Sequence, residues 1–153
     1  MKYLSILLIL ALVACHKQSD VAPPVFTATI DGQSWTSSST FCNVIGSAIL
    51  IEGFDHGGGV LNFSVGDTVA GDYILEPGTL STAWYQNSVT HTPVFATSLN
   101  RDTTGIGGKI TITEINSTKK VISGNFSFQL YNDSTRSVIN VTRGVFKDLP
   151  LTY

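Results

Sequence analysis

A few small constellations in this 153-residue chain carry atoms suited to chemistry. His56-Gly57-Gly58-Gly59 has the spacing of the oxyanion loop of lipases, in which backbone N–H groups face a developing negative oxygen. That loop works with a nucleophile elbow, and no serine here has glycine two residues before and two after it. The segment reads instead as a glycine-rich connection between two strands. His16, His56 and His91 show neither H-x-x-H nor H-E-x-x-H spacing, so neither a zinc site nor any other metal centre is expected. Asp55, Asp67, Asp72 and Glu76 could ligate calcium, but the regular oxygen spacing of an EF-hand loop is absent and solvated turn carboxylates are the default. Held about 5 to 9 Å apart, a pair of them could instead cut glycosidic bonds.

Cys42 sits in an apolar stretch between Phe41 and Val44, with no cation close in sequence to lower its pKa, so it reads as a buried small hydrophobe. Trp84 and Tyr85 are adjacent. On a strand, neighbours point to opposite faces, so at least one of the two rings is expected outward as a stacking platform for a sugar or a partner protein. A pocket lined by two carboxylates would point to hydrolysis, and an aromatic platform without them to binding. No cofactor is implied by any of these residues.

The elements that must position these groups are strands. Phe26/Ala28/Ile30, Leu61/Phe63/Val65, Ile110/Ile112, Phe126/Phe128/Leu130 and Ile139/Val141 each alternate with polar residues, giving one apolar and one wet face. Asp31-Gly32, Asn116-Ser117 and Asn132-Asp133 supply turns between such runs. One-sided burial predicts an all-β antiparallel fold of eight to ten strands, a sandwich or alternatively an up-and-down or partly open barrel. It occupies residues 25–153 as a single domain.

The beginning of the chain reads differently. Lys2 precedes an apolar run from Tyr3 to Ala14 broken only by Ser5, the length of a secretory leader and short of a membrane span. Leu12-Val13-Ala14-Cys15 resembles the lipobox of bacterial lipoproteins, which implies lipidation at Cys15 and removal of residues 1–14 as a signal peptide. Residues 15–24 then form the lipidated cysteine and a short tether ending in two prolines, its nine residues after Cys15 reaching at most about 30 Å. With Cys15 acylated, Cys42 has no partner for an intramolecular disulfide, and the domain must rest on burial.

Composition excludes two classes. Hydrophobic residues make up 42% and aromatic residues 10%, enough apolar surface to order the chain. No basic cluster exceeds Lys119-Lys120, so nucleic acid is not an expected partner. Charge is divided unevenly: residues 18–100 hold seven acids and no Lys or Arg, while residues 101–153 hold seven bases and four acids.

The mature chain resembles small Gram-negative cell-envelope lipoproteins of unknown function. The resemblance rests on the stretches Phe26 to Gly32 with Trp35, Gly71 to Leu75, Gly108 to Thr113, Ile122-Ser123-Gly124-Asn125-Phe126-Ser127-Phe128, and Val141-Thr142-Arg143-Gly144-Val145-Phe146. It implies a β-rich envelope domain and no active-site residue. Asp67-Thr68-Val69, Asp102-Thr103-Thr104 and Asp133-Ser134-Thr135 are similar to O-glycosylation acceptors of such envelopes, making Thr68, Thr103 and Ser134 weak candidates, since Asp-Ser/Thr pairs also favour turns. The expectation is a lipid-anchored, non-catalytic binding or structural module. It would reach the membrane through its N-terminal lipid and face a glycan or an envelope protein, with Trp84 and Tyr85 as contact residues. A glycan-directed hydrolase is the alternative. His16, next after the lipidated cysteine, is not the inner-membrane retention aspartate, which points to the outer membrane, facing either side.

Overall fold

Alternating apolar and polar residues build eleven strands in the computed structural model, which describes residues 23, 25–76, 78–87, 94–97 and 106–153. They are β1 Val25–Ile30, β2 Gln33–Thr36, β3 Ser39–Ile45, β4 Ala48–Phe54, β5 Val60–Val65, β6 Gly71–Leu75, β7 Thr82–Gln86, β8 Val94–Ala96, β9 Gly107–Asn116, β10 Val121–Asn132 and β11 Ser137–Pro150. No helix occurs among the described residues. Residues 1–22, which include Cys15 and His16, and also His91 and Thr103, lie outside them.

All strands belong to one antiparallel sheet in the order β2-β1-β11-β10-β8-β7-β5-β4-β3, with β9 and then β6 branching from β10. The sheet curls into an open half-barrel. The all-β antiparallel expectation therefore holds in its partly open barrel form and not as two packed sheets, because the concave face buries its side chains against itself. The count exceeds eight to ten through two elements too short for periodicity to reveal, the four-residue β2 and the three-residue β8.

Bulges produce the curl. Register slips between Thr27 and Thr29 on β1, and between Ile122 and Gly124 and between Phe126 and Phe128 on β10. On β11 the residues facing the last two irregularities include Arg143 and Asp148, both at φ 53, a left-handed conformation uncommon for residues with a side chain. The two bulges on β10 bend the long β10–β11 ribbon around the core.

That core is aromatic. Phe26, Phe63, Phe126, Phe128 and Phe146 interlock, with Phe126 centred 4.9 Å from Phe63, 5.4 Å from Phe128 and 5.6 Å from Phe26. Two reciprocal pairs fix their places: Gly124 on β10 lies opposite Phe146 on β11, and Phe126 on β10 opposite Gly144 on β11. A Cβ on either glycine would collide with the facing ring. The two glycine–phenylalanine stretches are thus one interlock seen from two strands. Phe26, Ile30, Phe63, Ile110, Ile112, Phe126, Phe128, Ile139 and Val141 are all buried, as their alternation requires.

The outermost strand β3 is not left bare. Val44 N–H donates to the Thr152 carbonyl at 2.9 Å and Thr152 N–H to the Cys42 carbonyl at 3.1 Å, so the residues after β11 latch the far edge of the sheet. The half-barrel accordingly has two distinct ends. The β1–β2 turn, the β4–β5 connection and the end of β7 gather at the mouth, while the β3–β4 turn, the connection after β5, the β9–β10 turn and the C-terminus gather at the base.

The charge division is partly spatial. Strands β9, β10 and β11, all from the basic segment, lie together, and β3, β4, β5, β7 and β8, from the acidic segment, form the opposite wall.

Candidate functional site

The mouth opens into a cleft of about 680 Å³. Trp35 of β2 closes one wall, buried and edge-on to Phe26 at 5.4 Å. Its indole Nε1–H donates to Asp55 Oδ2 at 3.1 Å, and Gly59 N–H donates to Asp55 Oδ1 at 2.8 Å. The backbone closes the same loop, with Gly58 N–H on the Asp55 carbonyl and Asp55 N–H on that of Gly59. Gly58 adopts φ 82, which a turn this tight requires and glycine permits at no steric cost.

The Gly57-Gly58-Gly59 run therefore wraps the Asp55 carboxylate. The amides of Gly58 and Gly59 are committed to Asp55 and do not face a reacting oxygen. His56 projects from this connection into solvent at the cleft margin.

Tyr85 of β7 and Phe95 of β8 form the opposite wall, paired across the strands. Tyr85 is half-buried against the core. Burial first, and then the Asp55 charge, raise its phenol above the ordinary tyrosine value, so it stays a neutral hydrogen-bonding group. Asp31 stands at the β1–β2 turn with φ 46, its Oδ1 accepting from Asn140 N–H at 2.8 Å. Two carboxylates and three aromatic rings thus line the cleft, and its lining among the described residues includes no Lys or Arg. Such a surface offers apolar ring faces beside hydrogen-bond acceptors.

Trp84 and Tyr85 separate to opposite faces. Tyr85 shares the concave side with buried Ala83, whereas Trp84 stands on the convex side between Asn62 of β5 and Ala96 of β8, half-buried. Asn62 donates from Nδ2 to Glu52 Oε1 at 2.6 Å on that same convex face. Thr68 and Ser134 are exposed in connections, and Asp67 Oδ1 accepts from Thr68 N–H, as an ordinary turn would have it.

The remaining carboxylates do not join the site. Asp72 of β6 accepts from Thr111 Oγ1 at 2.6 Å and pairs with Lys109 Nζ at 3.0 Å. The Thr111 hydrogen bond first, then Lys109, hold it below the usual carboxylate range. Among the described residues no three His, Cys, Asp or Glu side chains converge to hold a metal ion.

Cys42 lies in the core with 3% of its surface exposed, and burial pushes its thiol up to about 12. A raised thiol pKa keeps the neutral form across the physiological range, and only the thiolate is nucleophilic. Maleimide at pH 8 should leave Cys42 unmodified in the native protein and label it fully in urea, read by intact mass. Equal labelling in both conditions would show that Cys42 is accessible.

Sequence alone did not bring Trp35, Asp55 and Tyr85 together. Their strands are separated by long stretches of chain, and only the topology closes the distance. One signal was legible: an aspartate followed by a short glycine run marks a loop able to wrap its own side chain.

A known family, described as a domain of unknown function (DUF6252), matches residues 22–150. No curated protein and no solved structure matches the chain.

Proposed function

The chain belongs to the DUF6252 family, and from that premise we propose that it is a lipid-anchored, non-catalytic binding module of the cell envelope that takes a neutral glycan in the mouth of its half-barrel. One observation carries the reading: a cleft of about 680 Å³ sets Trp35, Tyr85 and Phe95 against Asp31 and Asp55, with no cation among its described lining residues. Sugar rings have apolar C–H faces that stack on aromatics and hydroxyls that donate to carboxylates. An anionic glycan would meet two like charges there, which disfavours it against a neutral one. Anchoring comes from Cys15 and its lipobox, and because His16 stands where the inner-membrane retention aspartate would be, the proposed location is the outer membrane, facing either side. An envelope protein is the other partner class, best served by Trp84 on the convex face.

The two carboxylates also support a second reading, a glycan hydrolase. Against it stands their employment: Asp55 holds Trp35 and Gly59, and Asp31 holds Asn140, so both have structural tasks.

Affinity electrophoresis in gels containing soluble β-glucan, mannan or xylan separates these readings. Tyr85→Ala should lose retardation on the polysaccharide that retards the parent, weakening binding roughly thirtyfold, the effect of removing an aromatic anchor worth about 2 kcal/mol. Circular dichroism should show the variant folded. If Trp84→Ala alone abolishes retardation, the ligand sits on the convex face. If no polysaccharide retards the parent, the glycan reading fails. Release of reducing ends that disappears in Asp31→Asn or Asp55→Asn would establish the hydrolase instead.

A further inference from the structure

The two ends of the half-barrel present different chemistry. The mouth is ringed by Asp31, Asp55 and His56. At the base, four large apolar side chains stand in solvent: Ile45 at 56%, Val69 at 56%, Leu80 at 81% and Tyr153 at 70% exposure. Ile45 is the last residue of β3, next to the β3–β4 turn, and Val69 belongs to the connection after β5. Leu80 lies beside Gly66, which follows β5, and Tyr153 shares a shallow depression with Gly46 and Thr68. Scattered exposed aliphatics need no explanation, but four large apolar side chains gathered at one end of a fold do.

Two cations stand with them. Lys119 and Lys120 occupy the β9–β10 turn, where the Lys120 carbonyl accepts from Leu151 N–H at 2.8 Å. Asp67 precedes Val69 on the same connection, so the base is not uniformly basic and its apolar tips are its leading feature.

The first strand also starts at this end. β1 runs antiparallel to β11, with Val25 opposite Lys147 and Ile30 opposite Val141. β1 therefore begins with Val25 on the side of Pro150 and Val121, which is the base. In the sequence Cys15 precedes Val25 with nine residues between them, a length that can reach no more than about 30 Å.

We propose that the base is a membrane-contacting face: Ile45, Val69, Leu80 and Tyr153 enter the interfacial layer of the bilayer, and Lys119 and Lys120 meet lipid phosphates. This rests on the reading of Cys15 as a lipid anchor. Short apolar tips with a tyrosine suit the headgroup layer, where one end of a side chain is dry and the other wet. A short tether keeps these weak contacts at high effective concentration, so they need little affinity of their own. The mouth cleft then points away from the membrane, toward whatever the envelope space presents.

The test uses the full-length chain, purified from membranes and placed in vesicles of phosphatidylethanolamine and phosphatidylglycerol. An environment-sensitive fluorophore is attached through Val69→Cys at the base or His56→Cys at the mouth, Cys42 being too buried to label. The label at position 69 should shift to the blue and be quenched several-fold more by nitroxide lipids than the label at position 56. Acylated, vesicle-bound protein with equal quenching at both positions overturns the proposal and leaves the anchor standing. A blue shift that grows with protein concentration without lipid quenching assigns the base to a second copy and also overturns it. An unacylated Cys15 on a chain that does not float with vesicles removes the anchor and this inference together.

Discussion

Phe126→Ala should unfold at a far lower urea concentration than the parent, with a loss of about 3–5 kcal/mol. Phe126 is 3% exposed and touches Phe26, Phe63 and Phe128 within 5.6 Å between ring centres. Removing it leaves a cavity that rigid β-strands cannot close, and domains of this size have only about 5–15 kcal/mol to lose. The interlock adds a second expectation. Gly144→Ala forces a methyl into the Phe126 ring and should cost about 1–3 kcal/mol by overpacking. Combined with Phe126→Ala, the same methyl enters vacant space, so the double variant should be more stable than the sum of the two losses allows. Strict additivity would show that the ring does not pack on Gly144, and a Phe126→Ala loss under 1 kcal/mol would place Phe126 outside the core.

Cys15→Ser should leave the chain unacylated and uncleaved, because lipidation requires the thiolate and processing follows it. The effect is all-or-none. Two or three acyl chains hold a protein at about 0.8 kcal/mol per buried methylene, whereas the polar tether has no other means of stable attachment. Exchanging the leader for a non-lipoprotein signal should release folded domain into the soluble fraction. Mass spectrometry of the N-terminal peptide from native membranes decides it, and a mature terminus at any residue other than acylated Cys15 would falsify the anchoring.

The fold class was legible because alternation in Phe26 to Ile30, Leu61 to Val65 and Phe126 to Leu130 reports which face of a strand is dry. Alternation does not report what the dry face packs against. A sandwich and a curled sheet share the same pattern, and the choice lay in bulges at residues such as Arg143 and Asp148, which carry no signature of a left-handed backbone. Of the candidate site, Tyr85 was visible as half of an aromatic pair. That it would join Trp35 and Asp55, and that Trp84 would turn away from them, depended on which strands neighbour which, a property of pairing between distant segments. The glycine–phenylalanine stretches stood out in sequence for a reason only register supplies: each glycine exists for a ring on the other strand.

The latch between β3 and Thr152 also dictates an order of events. Its partners are about 110 residues apart, so it is among the last contacts that diffusion can bring together. A chain delivered N-terminus first cannot seal its exposed β3 edge until Thr152 arrives. Until then, that edge is open to pairing with other chains, and the segment around Thr152 acts as the stopper that ends the vulnerable period.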